Sequence, residues 1–153
     1  MEYVKFSLLF FVIHFACYIF AGVIDYQLAK SVYAGKNRLF KAFFRDMDNP
    51  RESMRIARLL IPSQLLRAML MSAVLYPILP FLGELSFGWQ FVFMGSLMLI
   101  YADVACAVPF ANTIEGLVYL QKAIVAPRVF WTIQLEAVIY SSLFGLGAAW
   151  LLF

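Results

Sequence analysis

The stretch that decides the fold is Gly88–Lys122, GWQFVFMGSLMLIYADVACAVPFANTIEGLVYLQK. It begins as an apolar run, takes Asp103 into that run, and then meets Pro109. One unbroken helix over the stretch would be about 50 Å long, well beyond a bilayer hydrocarbon core of about 30 Å. We therefore predict a membrane span, a break at Pro109, and a new short helix. Asn112 would be the N-cap of that helix and Glu115 its capping-box partner.

The composition extends this prediction to the whole chain. Of the 153 residues 64% are hydrophobic and 14% are charged, whereas about half and about a quarter are usual in a soluble domain. The sequence predicts an all-α integral membrane protein, with a four-helix transmembrane bundle and amphipathic cytoplasmic helices in a single domain, residues 1–153. The expected spans are four apolar runs of membrane-crossing length, at about 6–26, 63–83, 88–108 and 129–152.

The first run has one rival interpretation, a cleaved signal peptide. A signal peptide has a basic start and a shorter apolar core. Here Glu2 precedes the single Lys5 and the apolar run is longer. We therefore expect a retained helix.

The connection between the first two spans, residues 28–62, is expected to be amphipathic and cytoplasmic. Its first half places aromatic residues at helical spacing from Phe40, with cations opposite. Its second half opens with Asn49-Pro50, a helix-start signature. We expect two interfacial helices, with a break or kink at Pro62. They would meet lipid phosphates or, alternatively, clamp a phosphorylated ligand, through the membrane-surface basic residues Lys36, Arg38, Lys41, Arg45, Arg51, Arg55 and Arg58.

The distribution of positive charge predicts the orientation. Of the 12 lysines and arginines, eight lie in residues 28–62 and two more are Lys122 and Arg128. The positive-inside rule then places both connections in the cytoplasm and both termini outside it. We expect a multi-pass protein of the cell (inner) membrane. The positive residues behind the net charge of +3 are thus distributed as a topology signal, and no nucleic-acid partner is expected.

Two smaller features concern packing. Ser141, Gly145 and Ala149 recur every four residues in the last span, which lets another helix approach closely. We expect this ridge to pack inside the monomer rather than between subunits. His14, the single histidine, is expected to bond to a neighbouring group.

The candidate site is a set of ionisable residues from all four spans. At about 1.5 Å per residue, Arg67 is expected about four residues inside its span, at the same inner depth as the acids. A charged side chain at membrane depth faces an oppositely charged or polar partner, or a water-filled cavity. A guanidinium group can bridge two carboxylates. The predicted ligand or ion pocket contains Arg67, Asp103, Glu136, Glu115, Asp25, Asn112 and Gln134.

Three interpretations of this cluster remain open. In the first, Arg67 pairs with an acid and the pair serves only to fix the register of the helices. In the other two, the cluster binds a ligand or ion, or it is catalytic. The acids outnumber the single arginine, so at least one carboxylate has no arginine partner. That carboxylate must be protonated, or a cation, a lysine or water must lie beside it. With one histidine and two cysteines inside apolar runs, no metal site or cofactor is expected. No catalytic residue is assigned.

Three functions follow as hypotheses. The first is a small membrane protein that binds or passes an amphiphile, a cation or a proton, alone or within a larger complex. The second is a membrane enzyme on a lipid-like substrate, with Asp103 or Glu136 as acid or base and Arg67 as electrostatic stabiliser. The third is a structural accessory subunit. The expected partners are membrane lipids and either another membrane protein or a second copy.

Overall fold

The computed structural model describes residues 2–153, and 76% of the chain is helical. No strand occurs within residues 2–153. The helical elements are α1 (Glu2–Leu28), α2 (Lys30–Tyr33), α3 (Pro50–Leu75), a 3-10 turn (Tyr76–Ile78), α4 (Leu79–Glu84), α5 (Phe87–Ser96), a π-helix (Leu97–Val104), α6 (Ile114–Tyr119) and α7 (Pro127–Leu151).

Four helices are long and apolar enough to cross a membrane. They are Glu2–Leu28, Pro50–Glu84, Phe87–Val104 and Pro127–Leu151. The all-helical fold with four such helices is therefore confirmed. The third of them ends at Val104, four residues before the expected boundary, because the chain widens into the π-helix and then leaves helical geometry.

The expected break at Pro62 was wrong. α3 runs through Pro62 without interruption, so the second long helix begins at Pro50 rather than at Ser63. A proline removes one backbone donor and crowds the preceding turn. The Ser63 hydroxyl donates to the Leu60 carbonyl at 2.9 Å in that turn, and hydroxyls of this kind help a helix to tolerate proline.

α1 packs antiparallel on α7. The rings of Phe10 and Phe144 have centroids 5.0 Å apart, and the His14 Nδ1 atom lies 2.5 Å from the Tyr140 hydroxyl. We call the end where α1 and the π-helix finish and α3 and α7 begin the basic end. Both cation-rich connections lie there, and together with the first turns of α3 and α7 they carry ten of the 12 lysines and arginines.

α3 packs antiparallel on the other side of α1. His14 reaches Gln64, with Nε2 and Oε1 2.9 Å apart. Nearer the opposite end, the hydroxyls of Ser7 and Ser72 are 2.7 Å apart. The buried core of the bundle draws on all four long helices and consists of Phe6, Phe10, Ile13, Ala68, Leu75, Leu82, Met94, Met98, Phe144 and Ala148.

The small-residue ridge of α7 packs inside the monomer, as expected. A Cβ atom added to Gly145 would lie 2.8 Å from the carbonyl oxygen of Phe91 and 3.0 Å from the Cα atom of Gly95. Ser141 and Ala149 are buried beside it. α5 and α7 therefore meet backbone to backbone, which is what small residues at this spacing permit.

The two connections fold over the basic end and form what we call the cap, residues 29–49 and 105–126. The expected helix around Phe40 was wrong, because residues 34–49 form turns. Phe40 is buried and its ring lies 5.7 Å from that of Phe110, so this part of the aromatic face packs on protein, whereas Phe43 is 67% exposed. Asp46 holds the turn by accepting from the Gly35 amide and from Arg38.

The second half of that connection follows the prediction. Asn49 caps α3, with its side chain accepting from the Arg51 amide at 3.0 Å, and Pro50 takes the first helical position. A second buried cluster joins the cap to α7. Its members are Ala29, Val32, Phe40, Ala111, Val129 and Ile133.

Substituting Gly145 with alanine tests the contact between α5 and α7. The added methyl meets backbone that cannot move aside, so we expect Gly145→Ala to lose about 1–3 kcal/mol of unfolding free energy. Gly83→Ala is the matched control, since nothing lies within 4 Å of its added Cβ. Thermal unfolding in detergent compares the two. Equal melting temperatures would show that the helices do not touch there.

Candidate functional site

Asp25 and Glu136 form a carboxyl pair at the basic end of the bundle. Asp25 lies in the last turn of α1 and is only 4% exposed. A Cβ atom on Gly22 would lie 3.6 Å from the Oε1 atom of Glu136, an ordinary contact distance, so the carboxyl group of Glu136 lies beside α1 at this level. Both carboxyl groups line the same cavity. Two ionised carboxylates that face one cavity repel each other, and the pair needs a shared proton or a neighbouring cation.

Tyr33 completes the polar group from the cap. Tyr33 lines the cavity together with Asp25 and Glu136. Burial, followed by the negative charge of Asp25, raises the pKa of Tyr33 well above its ordinary value. The phenol therefore stays protonated. The Oδ1 atom of Asp25 still has no hydrogen-bond partner among residues 2–153.

A partly open cavity of about 770 Å³ lies against this group. It is bounded by the last three turns of α1, the turns of the cap, the first turns of α3, Phe110 and Glu136. Its walls are mainly apolar and aromatic, and its acids are Asp25 and Glu136. The remaining lining residues are Tyr18, Ile19, Gly22, Val23, Tyr26, Gln27, Tyr33, Phe43, Phe44, Arg45, Met47, Ile56 and Leu60.

Asp103 and Asn112 form a second polar pair nearby. Asp103 lies in the π-helix, a form of helix that is frequent at functional sites. The Nδ2 atom of Asn112 donates to the Oδ1 atom of Asp103 at 2.9 Å. Asn112 is 2% exposed, and its own Oδ1 atom has no partner within residues 2–153. Asp103 acts electrostatically on Glu136 but is not among the cavity-lining residues.

The cap of α6 was assigned to the wrong residue. Thr113, not Asn112, caps the helix, with its hydroxyl oxygen accepting from the Gly116 amide at 2.9 Å. The same oxygen accepts from the Phe110 amide at 2.9 Å. The Asn112 side chain is engaged with Asp103, so the neighbouring threonine takes the role. Glycine is required at 116, because a Cβ there would lie 1.6 Å from the Phe110 carbonyl oxygen.

Arg67 is not the centre of the acidic cluster. It is exposed, and the ion pair formed within residues 2–153 joins Arg38 to Asp46 at 3.3 Å. Because α3 starts at Pro50, Arg67 lies about 26 Å along that helix. That depth is close to the level of His14 and well away from the basic end. Arg67 acts electrostatically on Asp103 and His14, but it bridges no two carboxylates.

The seven predicted pocket residues therefore separate into three groups. Asp25 and Glu136 meet at the cavity, and Asp103 and Asn112 bond to each other close by. Arg67, Glu115 and Gln134 are not among the cavity-lining residues, and within residues 2–153 their side chains make no hydrogen bond to protein. Of the three residues that the enzyme hypothesis names, Glu136 lines the cavity, whereas Asp103 and Arg67 are not among its lining residues.

Most of the cations that were predicted to lie at the membrane surface are exposed. Lys36, Lys41, Arg45, Arg51, Arg55 and Arg58 are exposed at the basic end. Arg38 differs, since its side chain is 10% exposed and pairs with Asp46. Arg45 also lines the cavity, a position that its sequence pattern did not indicate.

Sequence reasoning missed the aromatic side of the site. Tyr18 and Tyr33 line the cavity, as do Phe44 and Phe110 from the two halves of the cap. The ring centroids of Phe44 and Phe110 are 5.9 Å apart. Nothing in the sequence pairs two connections that lie about 65 residues apart in the chain. His14 was expected to bond locally, and it does so with Gln64 and Tyr140.

Comparisons with known proteins add no assignment. No protein-family model matches the chain, and the curated proteins and solved structures give no significant match. Within residues 2–153, no group of three or more His, Cys, Asp or Glu side chains is arranged to hold a metal ion.

Proposed function

We propose that this chain is a four-span protein of the inner membrane that binds an amphiphile in the cavity at its basic end. The basic end faces the cytoplasm in this proposal, and both termini lie outside. The concentration of lysine and arginine in the two connections supports that orientation. The ligand would then enter from the cytoplasmic leaflet, beside the exposed cations of the cap and α3.

The observation that carries the proposal is an apolar cavity that ends at a carboxyl pair. Ligand pockets typically occupy about 300–1,000 Å³ and combine apolar walls with a few placed polar groups. The cavity volume of about 770 Å³ falls in that range. A water molecule takes about 30 Å³, so a bare ion or a single proton would use little of the space. An amphiphile matches both the walls and the polar end.

The walls suit a chain rather than a rigid polar molecule. Ile19 and Val23 of α1 line the cavity together with Ile56 and Leu60 of α3 and the aromatic rings of the cap. The apolar face continues onto Val23, which is 57% exposed. In a bilayer that opening would be continuous with lipid, and an acyl or alkyl chain could enter sideways.

Cysteine labelling tests the orientation. Asn37 lies in the cap and Ser86 lies in the turn at the opposite end, and both are exposed. In a chain whose Cys17 and Cys106 are replaced by alanine, we expect Ser86→Cys to react with an impermeant maleimide in intact cells and Asn37→Cys only after lysis. The reverse pattern would place the basic end outside.

Filling the cavity tests the binding function. We expect Val23→Trp to weaken photolabelling by an uncharged diazirine monoacylglycerol about tenfold, because the indole occupies space the chain needs. Val74→Trp is the matched control, as Val74 is exposed on α3 and is not among the lining residues. Equal labelling of both variants and the parent protein would reject the cavity as the binding site.

A further inference from the structure

We infer that the head of the bound amphiphile carries a positively charged nitrogen, and that Asp25 and Glu136 bind it. This inference rests on the proposed function and names the ligand class for the same cavity. The ligand would be an alkylammonium-type molecule, with its chain along the walls and its nitrogen at the carboxyl pair.

The carboxyl pair has no cationic partner on the protein among the described residues. Within residues 2–153, neither Asp25 nor Glu136 has a cationic side chain at ion-pair distance. The Oδ1 atom of Asp25 is buried without a hydrogen-bond partner, which costs free energy unless something binds there. The cavity lies directly against both carboxyls. A cationic head in the cavity supplies the missing counter-charge.

Aromatic side chains also line the cavity. Tyr18, Tyr26 and Tyr33 line the cavity, and the Tyr26 hydroxyl donates to Asp48 at 3.3 Å. The rings of Tyr33 and Phe44 are 5.7 Å apart, and Phe110 continues the same aromatic group. Aromatic faces attract alkylated ammonium groups through their quadrupoles, and cages of such rings recognise quaternary nitrogen. Rings and carboxyls together select a cation that is partly apolar.

The same lining disfavours anionic head groups and divalent metal ions. An anionic head would meet two carboxyls, and among the described residues Arg45, on the exposed turns of the cap, is the one positive lining residue. A divalent metal ion such as calcium takes about six to eight oxygen ligands, whereas within residues 2–153 the acids that line the cavity are Asp25 and Glu136 alone. An organic monovalent cation fits the charge and the volume better than either.

The experiment compares three photoactivatable probes with the same dodecyl chain and different heads: trimethylammonium, sulfate and maltoside. Affinity is measured by labelling of the purified full chain in a neutral glycoside detergent. We expect the trimethylammonium probe to bind at least about tenfold more tightly than the sulfate probe. Asp25→Asn and Glu136→Gln should each remove most of that preference. Glu84→Gln, an exposed acid at the opposite end of the bundle, is the control and should retain it.

The maltoside probe keeps the result interpretable. A variant that still binds maltoside in its cavity is folded, so a selective loss of trimethylammonium binding cannot come from misfolding. Glu136 is less buried than Asp25, and Glu136→Gln alone carries the test if Asp25→Asn does not fold. An unchanged charge preference in Glu136→Gln would overturn the cationic-head inference.

The two proposals fail in different ways. If maltoside labelling is sensitive to Val23→Trp but the trimethylammonium and sulfate probes bind equally, the binding function stands and the head assignment falls. If no probe gives labelling that Val23→Trp weakens, the proposed function itself falls.

Discussion

The antiparallel register of α1 against α7 is the constraint on which the site depends. It is fixed deep in the bundle by His14, which is fully buried and hydrogen-bonded on both ring nitrogens, to Tyr140 and to Gln64. In an apolar interior a polar group without a partner costs free energy. A slip of one helix would leave both His14 and Tyr140 unpaired. The same register, carried toward the basic end, sets Glu136 against Gly22 and next to Asp25.

The cap turns this carboxyl pair into the end of a cavity. Phe44 comes from the first connection and Phe110 from the second, and their rings pack against each other beside the acids. Thr113 holds the Phe110 backbone, and the absence of a side chain at Gly116 allows the Phe110 carbonyl to approach. The bundle therefore sets the polar end of the cavity, and the cap supplies its aromatic wall.

The sequence supported those features that depend on local spacing and composition. Four apolar helices, the Asn49 cap and the small-residue contact at Gly145 all follow from patterns within one segment. Asp25 and Glu136 were also predicted to meet, since counting residues along straight helices gives their depth. Features that depend on contacts between distant segments were not accessible. The aromatic run at Phe40 has the same amphipathic pattern whether it faces lipid or packs on protein. Only tertiary packing decides between the two.

Arg67 shows how one local error moves a whole site. The presence of Pro62 suggested a helix start at Ser63, which put Arg67 near the basic end. α3 starts at Pro50 instead, and the arginine moves toward the middle of the bundle, away from the carboxyl pair. The remaining cluster is acidic without a central cation, which is the property that the proposed cationic ligand uses.

The central claim is that Asp25 and Glu136 together form the polar end of an occupied, chain-sized cavity. An electron cryo-microscopy map of the protein in lipid nanodiscs tests it most directly. We predict elongated density between α1, α3 and the cap, with one end in contact with both carboxyls. Side chains filling that space, with Asp25 and Glu136 turned away from each other, would contradict the account.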